Sequence, residues 1–271
     1  MNKQDYAWEK VQLARNPKRP TSQVLIKTLF SDFIELHGDR LFGDDGAIIG
    51  GIATFLGKPI TIIGEEKGDT TEHKIARNFG MPSPEGYRKA KRLIEQAEKF
   101  SRPILLIVDT PGAFPGIGAE ERGQAGAIAA NIQLLMRVKT VVFVVVLGEG
   151  GSGGALALGV GDYVMMFENS IFSILSPEGF ASIVYKDSSK AKEAASIMRL
   201  TASDLQDLGV IDEILLEGEG LHQNYEVGFK AFQNRLQTLL LEFGHYSLDA
   251  LIEKRYQKYR KMGLYLEGNH E

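Results

Sequence analysis

The chain has 271 residues, 44% hydrophobic and 24% charged, with a formal net charge of −4, the profile of a soluble globular protein. That balance offers no global attraction for nucleic acid or an anionic membrane, and no apolar run approaches the roughly 18 residues of a membrane span. The absence of cysteine excludes disulfides, thiolate nucleophiles and cysteine-based zinc sites, and the opening MNKQDYAWEK lacks the apolar core of a secretory leader, so the cytoplasm is the expected compartment.

In chain order, 3–15 and 21–36 predict two helices split by Asn16-Pro17-Lys18-Arg19-Pro20. Thr21 serves as N-cap of the second, and Leu25, Leu29, Phe30, Phe33 and Leu36 form its apolar stripe. The polar loop 37–45 sets His37 beside Asp39, a pair better explained by turn capping than by catalysis. Strands at 47–55 and 59–64 form a hairpin around Leu56-Gly57-Lys58. The charged stretch 64–80 reads as a surface loop with a helical turn, where Glu72 and His73 lack the convergent partners that a metal ion needs.

Ser83 caps and Pro84 opens a helix to about Phe100, and the same Ser-Pro-Glu-Gly-aromatic pattern returns at 176–180. A buried strand at 103–109 and a helix from about 119 to 137 precede a second buried strand at 141–147. Strands at 163–167 and 171–174, helices near 177–184, 188–199 and 202–207, and a short strand at 210–214 follow. Helices at roughly 224–243 and 247–262 close the chain. Nothing resembling a linker interrupts it, so a single domain over 1–271 is expected, with helical extensions at about 1–37 and 224–262.

The densest signal for chemistry follows the 141–147 strand: Gly148, Gly150, Gly151, Gly153 and Gly154 run directly into Ala155-Leu156-Ala157-Leu158. A strand, a turn without side chains and a helix start expose backbone N–H groups at the positive end of a helix dipole, where an oxygen gaining negative charge is stabilised. A second Pro/Gly-rich turn, Thr110 to Gly118, follows the 103–109 strand. Both turns are poor in acid–base side chains and rich in glycine. That suggests chemistry by aimed amides, with the substrate or cofactor supplying its own base, as enolate and acyl-transfer reactions allow.

Other motifs are weaker. Gly148-x-Gly150-x-x-Gly153, with Glu168 further on, matches a dinucleotide fingerprint, but it lies deep in the chain and opens an interrupted helix. No phosphate-binding P-loop occurs. Ser152 sits in Gly-Gly-Ser-Gly-Gly without a histidine partner and is not read as a nucleophile elbow.

The segments Val108-Asp109-Thr110-Pro111-Gly112-Ala113-Phe114-Pro115-Gly116 and Gly148-Glu149-Gly150-Gly151-Ser152-Gly153-Gly154-Ala155, in that order, resemble the alpha-subunit family of bacterial acetyl-coenzyme A carboxylase carboxyltransferases. The likeness extends through 35–40, 77–82, 84–90, 118–124 and 174–179, and covers about 7–262. It implies an α/β crotonase fold, a spiral of ββα units with outer helices. It also implies transfer of a carboxyl group from carboxybiotin, held on a biotin carboxyl carrier protein, to acetyl-CoA, giving malonyl-CoA for fatty acid biosynthesis. The partners implied are a beta subunit in an α2β2 assembly, the carrier protein, and a biotin carboxylase that consumes ATP in the wider complex. No metal is implied in this chain, since the family's cysteine zinc site belongs to the beta subunit.

The resemblance gives the catalytic amides as Gly153 and Gly154, facing the biotin ureido oxygen. Gly150, Gly151, Ser152, Ala155, Gly112, Ala113 and Phe114 are the expected cofactor-binding positions. Many relatives carry Gln where this chain has Glu66, and some have a longer amino-terminal helical extension; no role is expected of the 64–70 loop. A self-sufficient crotonase-type acyl-CoA hydratase or hydrolase is the alternative, with Glu149 or Glu178 as its acid–base carboxylate. The basic cluster Lys254, Arg255, Lys258, Arg260 and Lys261 is either a solvated helix face or a contact for CoA phosphates, the former favoured.

Overall fold

A computed structural model describes residues 3–263; the outermost parts of the expected 1–271 span, 1–2 and 264–271, lie outside the described residues. Eight strands form the sheet: β1 (Ile34–Glu35), β2 (Ile48–Phe55), β3 (Lys58–Glu65), β4 (Ile104–Thr110), β5 (Val142–Gly151), β6 (Tyr163–Phe167), β7 (Ile171–Ser173) and β8 (Glu213–Leu215). Their order is β1-β2-β3-β4-β5-β6-β8, with β7 paired to β5 off that path. The β1–β2 and β2–β3 pairs are antiparallel; from β3 onward every pair is parallel.

The continuous apolar runs of β4 and β5 are buried on both faces, as the absence of polar alternation predicts. Alternate residues serve opposite layers. Leu106, Val108, Val144 and Val146 pack with Leu93, Ile94, Leu134 and Leu135 of the Pro84–Lys99 and Gln124–Arg137 helices. Leu105, Ile107, Phe143 and Val145 pack with Leu25, Ile26, Phe229, Phe232 and Leu236 of the Ser22–Leu29 and Tyr225–Phe243 helices. Two ββα units stand out, β2-β3 with Pro84–Lys99 and β6-β7 with Pro177–Val184. Each helix starts at one copy of the repeated Ser-Pro-Glu-Gly pattern. Only Ser176 uses its hydroxyl as a cap, accepting from the Gly179 N–H at 3.1 Å.

Four expectations need correction. The 21–36 helix stops at Leu29, because Ile34 and Glu35 pair with β2 and the Asp32 carboxylate accepts from the Thr54 N–H at 2.9 and 3.1 Å. The close approach of β1 requires glycine at 51, where a Cβ would lie 2.1 Å from the Ile34 carbonyl oxygen. The 119–137 helix is broken into Ile117–Glu121 and Gln124–Arg137 by Gly123 at φ +83°, a left-handed conformation natural to glycine. The 64–80 stretch is not all surface: Glu65 and Glu66 are buried. Finally, β5 runs four residues beyond Leu147, so Gly148, Gly150 and Gly151 belong to a strand rather than a turn.

The last of these has a packing cause. Between Val108↔Val146 and Thr110↔Gly150 the β4–β5 ladder has one residue, Asp109, opposite three, Leu147, Gly148 and Glu149. Arg19 takes up the displaced Leu147 carbonyl at 2.7 Å, and its guanidinium pairs with buried Glu217 at 2.6 Å. Beyond this bulge the tip of β5 leaves its alignment with β4 and pairs with β7.

In the Leu248–Arg260 helix, Lys254 and Arg260, with Lys261 just beyond, are exposed as the solvated-face reading expects, but Arg255 and Lys258 are not part of that face. Fully buried Arg255 donates to both Asp162 carboxylate oxygens and to the carbonyls of Leu135, Val138 and Thr140, while Lys258 pairs with Asp212. These two cations fasten the helix to the body of the fold, Arg255 out of reach of solvent and Lys258 engaged by Asp212.

Candidate active site at the ends of β4 and β5

The two glycine turns leave the carboxyl ends of β4 and β5 and press against each other. A Cβ on Gly151 would sit 2.2 Å from the Pro111 carbonyl oxygen. A Cβ on Gly154 would lie 2.5 Å from the Ala113 nitrogen and 2.8 Å from both the Gly112 carbonyl carbon and the Tyr87 hydroxyl. Glycine at 151 and 154 is therefore a condition for contact between the turns. Gly150 answers to a different neighbour, the Phe172 ring at 2.6 Å, and so serves the β5–β7 pairing. Gly153 is open, with only Ile128 Cγ2 within reach at 3.8 Å.

Ser152 occupies a left-handed conformation, φ +58°, between the strand and the Ser152–Leu156 helix. Gly150-x-Ser152-x-Gly154 thus has both the spacing and the strand–turn–helix backbone of a nucleophile elbow, which corrects the sequence reading. Among the described residues no histidine bonds to Ser152, and the bend serves to present the amides that follow. Gly153 and Gly154 occupy the first turn of that helix, and no acceptor outside it takes either N–H. In the facing turn the amides are largely used. The Gly112 N–H donates to the Thr110 hydroxyl at 3.0 Å, that hydroxyl donates to the Gly112 carbonyl at 2.8 Å, and the Phe114 N–H donates to the Pro82 carbonyl at 3.0 Å.

An apolar cavity of about 510 Å³ opens beside the free amides, lined by Ser152, Gly153, Leu156, Phe172, Ile174 and Leu205 among others. Ala113 and Phe114 line a second hollow of about 410 Å³ with Gln124 and Ile128. Of the expected site positions, Gly112, Ala113, Gly151 and Gly154 converge where the turns touch. Ser152 and Gly153 face the first cavity, and Phe114, whose ring lies over Gly116, faces the other.

Charged side chains hold the strand ends from behind. Lys67 Nζ lies 2.7 Å from Asp109 Oδ1 and 3.2 Å from Glu149 Oε2. Arg15 lies 2.6 Å from Glu149 Oε1 and 2.8 Å from Glu178 Oε1. Burial raises the proton affinity of Glu149, but Lys67 and Arg15 outweigh it and hold the carboxyl below its usual range. Glu178 is likewise lowered, its partial burial opposed mainly by the hydrogen bond from Arg15. Both are tied to cations, Glu149 through both of its oxygens and Glu178 through Arg15, and this pairing lowers the basicity that the acid–base carboxylate of the hydratase alternative would need. Beneath them Glu65, buried with Oε1 lacking a hydrogen-bond partner, is pushed well above its usual value by desolvation.

Arg15 and Lys67 escaped the sequence reading. The acids at the glycine turns were visible, whereas Arg15 lies 134 and 163 positions from Glu149 and Glu178, and Lys67 lies 82 from Glu149. The other sequence candidates fall elsewhere. His37 pairs with Asp44 at 2.9 Å, while Asp39 caps its loop by accepting from the Leu41, Phe42 and Gly43 N–H groups. His73 pairs with Asp69 at 2.6 Å, and Glu168 accepts from the Glu217 N–H at 2.5 Å, which takes up one oxygen of the carboxylate in the dinucleotide reading.

Opposed glycine turns at the ends of parallel strands β4 and β5, flanked by ββα units, define the class: a crotonase-like carboxyltransferase fold. A Pseudomonas malonate decarboxylase hetero-tetramer in complex with coenzyme A contains a chain similar to this one at TM-score 0.65 and 16% identity, over 79% of this chain and 86% of that one. A transcarboxylase 12S structure is similar at TM-score 0.68 and 15% identity over 100% of this chain, which spans 47% of the larger chain. At such identities the likeness concerns the fold. Sequence carries it further: a family model described as acetyl co-enzyme A carboxylase carboxyltransferase-like matches residues 2–263. The acetyl-coenzyme A carboxylase carboxyl transferase subunits alpha of Bacillus thuringiensis (strain Al Hakam) and Bacillus cereus (strain AH187) are each 55% identical over 257 residues, 94% of this chain and 79% of theirs. The chain belongs to the acetyl-CoA carboxylase carboxyltransferase-like family.

Proposed function

We propose that this chain acts as a carboxyltransferase alpha subunit, moving a carboxyl group from carboxybiotin on a carrier protein to acetyl-CoA to give malonyl-CoA. The observation that carries the reading is the pair of adjacent N–H groups at Gly153 and Gly154, without acceptors outside their helix among the described residues, with Gly153 in the wall of an apolar cavity. The residues fit such a group: the wall of Leu156, Phe172 and Ile174 would accept an apolar ring system, and the N–H groups that begin the adjoining helix would serve a polar oxygen on it. Bound carboxybiotin supplies the carboxyl group and, after giving it up, a nitrogen able to take a proton from the acetyl methyl.

The chain's own contribution is electrostatic and geometric. Two amide donors fixed in advance stabilise charge that develops on an oxygen, without reorganising at the moment of reaction. Gly112, Ala113, Gly150, Gly151 and Ala155 hold those donors in place, and Ser152 sets their direction through its left-handed bend. The reading extends to one carboxyltransferase unit with helical extensions, joined by a beta subunit in an α2β2 assembly and served by the carrier and a biotin carboxylase during cytoplasmic fatty acid biosynthesis. Among the described residues, no helix is long and apolar enough to cross a membrane.

The test is reconstitution. Purified chain, a candidate beta subunit, carboxylated carrier and acetyl-CoA yield malonyl-CoA together, and neither subunit does so alone. Equal turnover by the isolated chain would transfer the assignment to a self-sufficient enzyme.

A further inference from the structure

The β4–β5 ladder loses its regular pairing between Val108↔Val146 and Thr110↔Gly150, and past this gap a single backbone pair joins the two strands before the turns. Asp109 stands alone opposite Leu147, Gly148 and Glu149, and both glycine turns begin just beyond this gap. The Lys67 ammonium spans the interruption, touching Asp109 Oδ1 at 2.7 Å and Glu149 Oε2 at 3.2 Å. Asp109 Oδ1 also accepts from the Glu149 N–H at 2.9 Å, which ties the two strands a second time through the same carboxylate.

The surroundings are shaped for this bridge. A Cβ on Gly148 would lie 2.5 Å from Asp109 Oδ1, and a Cβ on Gly80 would lie 2.5 Å from Lys67 Cγ, so each glycine clears space for one member. Glu66, which precedes Lys67, accepts from the Gly68 N–H at 2.8 Å and ties the loop to the Ser22–Leu29 helix through the Gln23 N–H at 2.6 Å. Burial presses the Lys67 ammonium toward neutrality, but the two carboxylates more than reverse this and keep it charged. Glu149 Oε1 is occupied by Arg15 at 2.6 Å, so both its oxygens are engaged.

We propose that Lys67 is a positioning residue for carboxyl transfer, setting the separation of the Gly112–Ala113 and Gly153–Gly154 turns by bridging the carboxylates at their bases. This gives a role to the loop after β3 and rests on the proposed carboxyltransferase function. The ammonium touches neither cavity beside the turns. It acts through the strands that present the amides.

The experiment uses the reconstituted alpha–beta complex with carboxylated carrier and acetyl-CoA. Lys67→Met lowers kcat at least tenfold while KM for acetyl-CoA stays within twofold, and Lys67→Arg, which keeps the charge, recovers turnover to within about threefold of wild type. A structural role alone would lower thermal stability and leave kcat per assembled complex intact. Lys67→Met leaves two carboxylates facing each other, so Lys67→Met/Glu149→Gln serves as a charge-balanced companion with the same expected loss of kcat. Wild-type kcat in either assembled variant overturns the proposal, and so does failure of both to assemble, which would make Lys67 a folding residue. Absence of malonyl-CoA from the wild-type complex would instead defeat the function itself.

Discussion

The two turns that meet at the site are built from similar residues and spend their amides differently. After β4, Thr110 locks Gly112 through both its N–H and its carbonyl, and the Phe114 N–H is bonded to Pro82. After β5, the N–H groups of Gly153 and Gly154 have no acceptor outside their short helix. The first turn is chiefly a buttress, with the Ala113 N–H alone among 112–114 lacking an acceptor in the described residues, and the second is the donor. The glycine content common to both does not distinguish them; the placement of hydrogen-bonding side chains does.

The largest expected effect comes from forcing the two turns apart. A side chain at 154 meets the Ala113 nitrogen, the Gly112 carbonyl carbon and the Tyr87 hydroxyl within 2.8 Å. Gly154→Val therefore lowers turnover of the assembled complex by about 10²–10³-fold, the range seen when one oxyanion donor is lost. Size-exclusion chromatography establishes assembly, and malonyl-CoA formation measures the rate. Unchanged turnover would strip these amides of their role.

Loosening the buttress costs less. Thr110→Val keeps the shape but leaves the Gly112 N–H and carbonyl without their partner, a loss of about 1–3 kcal/mol in folding stability. Turnover should fall by about threefold to tenfold, since a misplaced donor weakens a hydrogen bond without deleting it. Denaturant titration alongside the assay separates the two effects; a larger rate loss than for Gly154→Val would reverse the roles of the turns.

The layers around these turns were largely legible. Strands β4 and β5 announced themselves as apolar runs, and Pro84 and Pro177 fixed two helix starts. The glycine-rich tip of β5 was misread because five glycines in seven residues look like a turn. Three of them, Gly148, Gly150 and Gly151, are strand residues, and Phe172 beside Gly150 and Pro111 beside Gly151 leave no room there for a side chain, contacts that only the fold reveals. Lys67, Arg15 and Arg255 were unreadable for a related reason. A charge and its distant partner leave no periodic trace, so the basic run at 254–261 resembled an exposed face even though Arg255 is fully buried.

A smaller effect separates the carboxylates behind the turns. Glu65 supports the buttress strand through the Asp109 N–H at 3.1 Å and is raised well above its usual range, chiefly by desolvation, whereas Glu149 behind the donor turn is lowered. A carboxyl raised in the folded state contributes stability that is full below its unfolded value of about 4.3 and is lost as pH rises through its folded value. Glu65→Gln, which cannot ionise, should therefore gain stability relative to wild type as pH climbs from 4 to 8. Parallel stability curves for the two proteins would mean that Glu65 is not held protonated.

The smallest effect sharpens the comparison within the donor turn itself. Gly153 and Gly154 are adjacent and each presents an N–H, yet a Cβ on Gly153 meets only Ile128 Cγ2 at 3.8 Å, ordinary van der Waals contact. Gly153 shows no positive φ, so alanine fits its backbone without strain and removes freedom chiefly from the unfolded chain, a stabilisation of about 0.4–1 kcal/mol. Gly153→Ala should keep turnover within about threefold of wild type, because its N–H stays in place and only a methyl enters a cavity wall that is already apolar. A loss as large as that of Gly154→Val, measured on the assembled complex, would mean that the bound group packs against the Cα of Gly153. The requirement for glycine there would then come from the ligand rather than from the neighbouring turn.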